Sequence, residues 1–316
     1  MNSTQIVNEK ITNIILAKLA AGVIPWRKPW ACKGAAGCPR NFITGKAYRG
    51  VNVWLLDGYE TPFWLTFNQA RALKAKVRKG EKATAVVFWS ILKKKVKDAN
   101  NVEKEKKIFF LRYYYVFNVE QCEGIKPEKI DALKRKVGIV KADDAKPFDS
   151  VAAAQAIIDQ YQADDGIKIK FGGDRAFYSC QQDFIQLPKR EDFTTPANYY
   201  HTAFHECIHS TGAEKRLNRE GIAKFDQFGS EQYAKEELIA EFGATFLAAQ
   251  CEIEVPLLEN AAAYIKHWSA KIKEDPKLIV AGASAAQRAV DYITTAHPAD
   301  DDATVPEDAE IEGVTA

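Results

Sequence analysis

Residues 194–212 read TTPANYYHTAFHECIHSTG. Thr194 and Thr195 ahead of Pro196 make a helix start, because a hydroxyl caps free amides and proline is already set for the first turn. Tyr199, Phe204 and Ile208 supply apolar positions, and Gly212 closes the helix just after His209. His205-Glu206-Cys207-Ile208-His209 therefore carries two imidazoles four residues apart on one face, within reach of one ion. Glu206 lies next to that face and can polarise a metal-bound water as general base. His201, one turn earlier, reads as a solvated histidine. Cys207 projects away from the histidine face and reads as a core thiol.

A catalytic metal needs a third protein ligand and an open coordination position. Residues 233–241, YAKEELIAE, offer that ligand on a second helix. Glu237 and Glu241 share a face with Ala240 and Ala244, whose small side chains allow close approach to the histidine helix. One carboxylate can bind the ion while the other orients a ligand histidine. Glu236 points elsewhere and reads as solvated. Upstream, residues 177–188, FYSCQQDFIQLP, read as the strand before the histidine helix. A free edge there could hold a peptide in extended form, though the strand could equally lie inside its sheet.

Around this segment the chain is globular in composition. With 47% hydrophobic and 27% charged residues, a mainly disordered or collagen-like chain is excluded. A length of 316 residues suits two domains at roughly 150 residues each. The net charge of +2 hides a division. Residues 1–140 hold 27 Lys and Arg against 11 Asp and Glu, a net of +16, and the remainder holds 17 against 31, a net of −14. The basic half looks toward a polyanion such as nucleic acid or an anionic membrane. Six cysteines with no C-x-x-C pair do not form a disulfide framework. The start lacks a signal peptide, and the apolar run Ile14–Ile24 is broken by Lys18 and too short to span a bilayer. The expectation is a soluble, cytoplasmic protein with no membrane partner.

Ser3 or Thr4 caps a first helix carrying Ile11, Ile14, Ile15 and Leu19 at helical spacing, ended by Gly22. Phe63–Lys79 reads as strand then helix, capped by Thr66 or Asn68. Ala83–Leu92 and Lys107–Asn118 read as strands, with Lys93–Lys106 a charged hairpin loop between them. The polar segment Lys141–Ser150 marks a boundary. Beyond it come a helix near Val151–Gln162 and strands at Ile167–Phe171 and Phe177–Pro188. From Asp300 the tail has seven acids and no base, and reads as disordered.

Five of the six tryptophans lie in the first 89 residues, interleaved with Lys and Arg. Bases stack on aromatic rings while cations follow phosphates. The turn Trp26-Arg27-Lys28-Pro29-Trp30 is the best local candidate. Arg71, Lys74, Arg78 and Lys79 form a basic helix edge, and Lys93, Lys94 and Lys95 a basic loop. Trp54, Trp64, Trp89 and Tyr113–Tyr115 read mostly as core.

Together these residues resemble the ArdC-type antirestriction proteins of conjugative plasmids, whose N-terminal domain is similar to that of TraC-type plasmid primases. The resemblance spans about residues 5–295. In the first half it rests on Pro25-Trp26, Trp30, Pro39-Arg40-Asn41, Thr44-Gly45, Tyr48-Arg49-Gly50 and Asn52. In the second it rests on Leu187-Pro188, Tyr199-Tyr200, His205–His209 with Thr211-Gly212, Arg216–Arg219, and Tyr233-Ala234 with Glu236–Glu241. It implies an α+β protein of two domains. Residues 1–140 would form a basic domain binding single-stranded DNA non-specifically, with Arg40, Tyr48 and Arg49 among its contacts. Residues 141–150 would be a linker, 151–298 a zincin-like, gluzincin-type metallopeptidase domain, and 299–316 the tail.

By motif position the resemblance makes His205, His209 and Glu237 ligands to zinc or another divalent metal, Glu206 the catalytic carboxylate and Glu241 its outer neighbour. The arrangement is similar to SprT-like proteases acting on DNA-bound proteins, and a restriction-system subunit is one candidate substrate. The rival expectation is a non-catalytic protein that coats single-stranded DNA and keeps the metal for structure. Glu206 discriminates, because a structural site needs the ligands but not this carboxylate. A primase-associated module is disfavoured by the lack of a polymerase motif.

Overall fold

The chain opens with α1 (Ser3–Ala20), and Gly22 follows it at φ +78°, a left-handed turn natural to glycine. Then come β1 (Arg40–Asn41), α2 (Asn52–Leu55), β2 (Phe63–Leu65), α3 (Phe67–Ala72), β3 (Lys76–Val77), β4 (Thr84–Lys97), β5 (Glu103–Asn118), β6 (Cys122–Glu123) and α4 (Pro127–Lys136). The second half holds α5 (Ser150–Asp165), β7 (Lys168–Phe171), β8 (Phe177–Ser179), β9 (Phe184–Leu187), α6 (Pro196–Ser210), α7 (Glu220–Ala223), α8 (Glu231–Gln250), α9 (Ala261–Glu274) and α10 (Leu278–Ile293), with a last strand, β10 (Ile311–Glu312). This computed structural model describes residues 3–27, 38–97, 103–137, 149–223, 231–255, 260–294 and 311–312.

Two units emerge, and they are not contiguous in sequence. One comprises Met1–Ile14, Cys38–Ile139 and Ala299–Ala316, the other Ile15–Gly37 and Val140–Pro298. The segment 15–37, which its charge placed with the basic half, thus clusters with the second unit. The linker expected at 141–150 falls almost wholly outside the described residues. Only Asp149, whose side chain caps α5, and Ser150 belong to them.

The first unit is built on the β4–β5 ribbon, with β2 antiparallel to β5 and β1 parallel to β2. Alternation along the ribbon puts Val86, Phe88, Tyr114 and Val116 on one face, packed with Leu56 and Trp64. Thr66 caps α3 in a reciprocal pair with Gln69. The hairpin loop expected over 93–106 is corrected. The ladder runs on to Lys97↔Glu103, so Lys93, Lys94 and Lys95 are strand residues. The register sets Lys95 opposite Glu105 and Lys97 opposite Glu103, and opposite charges across a ladder favour its pairing. Of the acidic tail, Ile311 and Glu312 are described, and they pair with β5 instead of being without structure.

In the second unit β9 lies between β7, to which it is parallel, and β8, to which it is antiparallel. The single strand expected over 177–188 is therefore two, divided by a turn in which Asp183 takes φ +50°. β7 and β8 are the edge strands. α6 packs against the sheet, and α5, α8 and α10 pack on α6.

Candidate metal centre

Two helices position the site. Thr195 accepts a hydrogen bond from the Asn198 amide, Pro196 occupies the first turn, and α6 runs from there through Ser210. Its apolar stripe is buried: Tyr200, Phe204, Cys207 and Ile208 have almost no exposure, which fixes the opposite face that carries the histidines. α8 approaches closely because Gly243 has no side chain. A Cβ there would stand 2.5 Å from Ile208 Cδ1. Ala240 and Ala244 are fully buried beside it, in keeping with the small-residue argument.

His205, His209 and Glu237 converge, with ligand atoms within 4.8 Å of one another. His205 Nε2 and His209 Nε2 are 3.1 Å apart. Glu237 Oε2 is 3.5 Å from His205 Nε2, and Glu237 Oε1 is 3.5 Å from His209 Nε2. A tetrahedral ion with bonds of about 2.0–2.1 Å has ligand–ligand edges of about 3.3–3.4 Å. The two imidazole nitrogens and the Glu237 oxygen facing each of them stand at separations close to those edges. Two imidazoles and one carboxylate leave a fourth position, the pattern of catalytic sites. Among the described residues no other His, Cys, Asp or Glu trio meets this way.

The electrostatics agree. Burial opposes a charge on His209, but the hydrogen bonds with Glu236 and Glu237 outweigh it and push its pKa up to about 10. Burial would raise Glu237, yet His205 and His209 hold it well below the usual carboxylate range. The surroundings thus favour a positive charge at this point, which a divalent ion supplies. Tyr233, one turn before Glu237 on α8, hydrogen-bonds to that carboxylate. Burial and this bond push its pKa up to about 12.

Behind the ligands the sequence reading needs correcting. Glu236 is not solvated: it is 2% exposed, and its Oε1 lies 3.3 Å from His209 Nδ1. Arg219 grips it with two donors, Nη2 to Oε1 at 2.6 Å and Nε to Oε2 at 2.9 Å. Arg219 in turn donates from Nη1 to Thr211 Oγ1 and from Nη2 to the Ile208 carbonyl, so it is tied to the end of α6. With Nδ1–H given to Glu236, the Nε2 lone pair of His209 would be available to an ion. Glu241, expected in this role, instead forms an ion pair with Arg27. His201 is also not solvated. It is buried, its Nε2 has no partner, and burial lowers its pKa to about 4. Cys207 is a core thiol, as read. Glu206 is buried next to His205.

The DNA-binding candidates divide. Trp26 is fully buried in the second unit. Its indole donates to Tyr264 Oη and meets Phe242 edge-on at 5.2 Å, so its ring presents no face to a base. Arg27 is taken up by Glu241. Lys28 and Trp30 lie outside the described residues. Arg40 is half-buried and donates to the Gly45 carbonyl, and Tyr48 packs against the core around Trp64. Arg49 is half-buried. Arg71, Lys74 and Arg78 are exposed, with Arg78 paired to Glu81. The side chains of Lys93, Lys94 and Lys95 are outside what the structure describes. Trp54 and Trp64 are core, but Trp89 is 44% exposed, as is Phe67 at 53%. Alternation along β4, with Val86 and Phe88 inward, was the available signal for Trp89.

Comparison with known proteins bears on the whole chain. Residues 154–285 match a zincin-like metallopeptidase family, and residues 5–117 match the N-terminal domain of anti-restriction factor ArdC. The metal-free crystal structure of antirestriction protein ArdC from the R388 plasmid is 32% identical, with 90% of this chain and 96% of that one covered at a TM-score of 0.66. The chain belongs to the ArdC antirestriction family. Its two-domain α+β architecture, with a zincin-like second domain, is that of the family. The Mn(II)-bound structure of the R388 protein is 31% identical and covers 91% of this chain and 97% of that one at a TM-score of 0.64, so a divalent ion fits both the family and the ligand set here. Protein y4eC of Sinorhizobium fredii (strain NBRC 101917 / NGR234) is 32% identical over 91% of each chain. DNA primase TraC of Escherichia coli is 35% identical over 90% of this chain, which spans only 27% of the primase. No described helix is long and apolar enough to cross a membrane.

Proposed function

We propose that this is a single-stranded-DNA-binding antirestriction protein of a conjugative plasmid, acting in the cytoplasm, whose second unit is a peptidase for proteins on or near DNA. The observation that carries the reading is the His205–His209–Glu237 cluster with Glu206 adjoining it. When bound there, a divalent ion, zinc by its preference for such ligands, would polarise a peptide carbonyl and acidify a water. Glu206 would take a proton from the attacking water and return it to the departing amine. His205, His209 and Glu237 would hold the ion, and Glu236 with Arg219 keeps the His209 ring from turning.

For the first unit the reading rests on charge and exposed rings. Cys38–Ile139 is strongly basic, and Phe67, Trp89, Arg71, Lys74 and Lys82 are all exposed on this unit. Cations bind phosphates without sequence preference, and rings stack on any base. Joining the two functions in one chain raises the peptidase concentration near DNA-bound proteins. A restriction-system subunit on the entering strand is the substrate this predicts.

The test is cleavage of a DNA-bound protein by the metal-loaded full chain, with and without single-stranded DNA, read by intact mass. Wild type should cleave, faster with DNA. Glu206→Gln should retain the metal and cleave nothing, while His205→Ala and Glu237→Ala should lose the metal. Full metal occupancy in both ligand variants sinks the site. Metal-loaded wild type that binds DNA but cleaves no DNA-bound protein leaves the coating function and removes the peptidase.

A further inference from the structure

α6 carries His201, His205 and His209 at four-residue steps, and α8 carries Glu237 and Glu241 at the same step. The two rows run in opposite directions. His209 and His205 meet Glu237, while Glu241 and Arg27 are the nearest charges acting on His201. The layer beyond the ion position is thus filled from elsewhere in the chain. Arg27, at the end of the turn Pro25–Arg27, gives its Nε–H to Glu241 Oε1, and its guanidinium stands 5.5 Å from the centre of the Tyr264 ring.

This layer has the parts of a receptor for a basic side chain. Glu241 supplies the charge, and Tyr264 supplies a ring face that attracts a cation. His201 is 8% exposed and its Nε2 has no partner. A neutral imidazole accepts a hydrogen bond at that nitrogen when Nδ1 carries the proton. A guanidinium matches a carboxylate best through two parallel N–H donors. Arg27 instead reaches Glu241 through Nε at Oε1, and among the described residues Oε2 has no hydrogen bond. The present occupant therefore leaves an oxygen and a nitrogen acceptor unused. The Arg27 and Glu241 side chains are 15% and 12% exposed, so the pair is open to solvent at its rim.

We propose that Glu241, Tyr264 and His201 form a subsite for an arginine or lysine side chain of the substrate, which Arg27 fills in the resting protein until the substrate displaces it. Glu241 is one turn along α8 from the ligand Glu237, a rise of about 6 Å. A long basic side chain within about two residues of the bond at the ion spans that distance. The chemistry suits proteins held on DNA, which meet phosphates through Lys and Arg. That the ligand belongs to a substrate rests on the peptidase reading; the binding of a guanidinium does not.

The experiment uses the metal-loaded full chain with Glu206→Gln, so that a peptide is bound and not consumed. A labelled alanine pentapeptide with a central arginine is titrated into it, beside the same peptide with citrulline, the uncharged isostere. Adding Arg27→Ala should tighten binding of the arginine peptide on the order of tenfold, with the citrulline peptide weak and unchanged. Adding Glu241→Gln as well should remove the gain. Arg27→Gln, which keeps bulk beside Tyr264, repeats the measurement if thermal melting shows that Arg27→Ala does not fold. Equal affinity for the two peptides in the Arg27 variants, or a gain that survives Glu241→Gln, overturns the proposal. In the cleavage assay with a DNA-bound protein, wild-type cuts should fall within about two residues of Arg or Lys. Cuts without such a neighbour overturn the substrate assignment. Selective arginine binding by a protein that cleaves nothing supports the subsite and refutes the peptidase.

Discussion

His209 shows how one side chain joins two layers of a site. Its Nε2 faces the ion position and its Nδ1 faces Glu236, so two adjacent glutamates of α8 serve opposite sides of the same ring. Four-residue spacing correctly relates Glu237 to Glu241 on one helix, but it cannot show which carboxylate meets a ring carried by another helix. That depends on where the two helices cross. Arg219 makes the arrangement rigid by fixing both oxygens of Glu236. Arg219→Ala should therefore leave the ligands in place and weaken metal binding by about 10- to 100-fold, measured by competition with a chromogenic chelator. An unchanged affinity would mean that Glu236 orients nothing.

At the level of elements, the contact between α6 and α8 turns on Gly243. Ile208 fills the space where a side chain would be. Gly243→Ala must push α8 outward or force Ile208 off its rotamer, at a cost of about 1–3 kcal/mol. Because Glu237 rides on α8, metal affinity should fall together with stability. Urea unfolding and a metal titration on the same variant check this. Loss of stability with intact affinity would show that the helix pair adjusts locally. The β4–β5 ribbon teaches a different lesson. Its charged outer half lacks the apolar alternation that marks a buried strand, so the sequence reads as loop. The backbone ladder continues all the same to Lys97↔Glu103.

For the whole molecule, two long-range arrangements set stability. Arg216 is buried and bonds Asp165 and Asp183, with Tyr292 donating to Asp165 and Tyr178 to Asp183. Burial alone would raise both carboxyls. The bonds from Arg216 and these partners outweigh it and hold them below the ordinary range. The folded protein thus protonates these groups less readily than the unfolded chain. Their contribution is complete above the ordinary value of about 3.9 and is lost as pH falls through the lower folded values. Arg216→Ala should cost about 3–5 kcal/mol at pH 7 by removing the cation paired with buried Asp165, while Asp183 keeps Lys215. Its deficit against wild type should shrink at pH 3, as judged by urea midpoints. A deficit constant between pH 7 and 3 would contradict the linkage.

The second arrangement is the docking of Trp26 between Phe242 and Tyr264. Trp26→Ala should cost about 3–5 kcal/mol. A fragment of residues 141–316 should unfold more easily than one to which residues 15–27 are restored, as measured by thermal melting. Equal melting temperatures would show that the segment contributes nothing to the second unit.

The histidine helix, its cap, the common face of its two histidines and the small residues facing it were legible because each depends on spacing within one helix. The basic and acidic halves were equally legible, since charge is counted and not folded. Trp26 was misread because an aromatic-basic turn has the same composition whether its ring meets a base or Phe242. Trp89 was misread in the opposite sense, because a tryptophan on a ribbon is core or surface according to which face is covered. The partner of His209, the docking of segment 15–27 on α8 and the pairing of the tail with β5 all join residues far apart in the chain. Such contacts are chosen by packing geometry and by the burial of polar groups that need partners, and no local pattern carries that information.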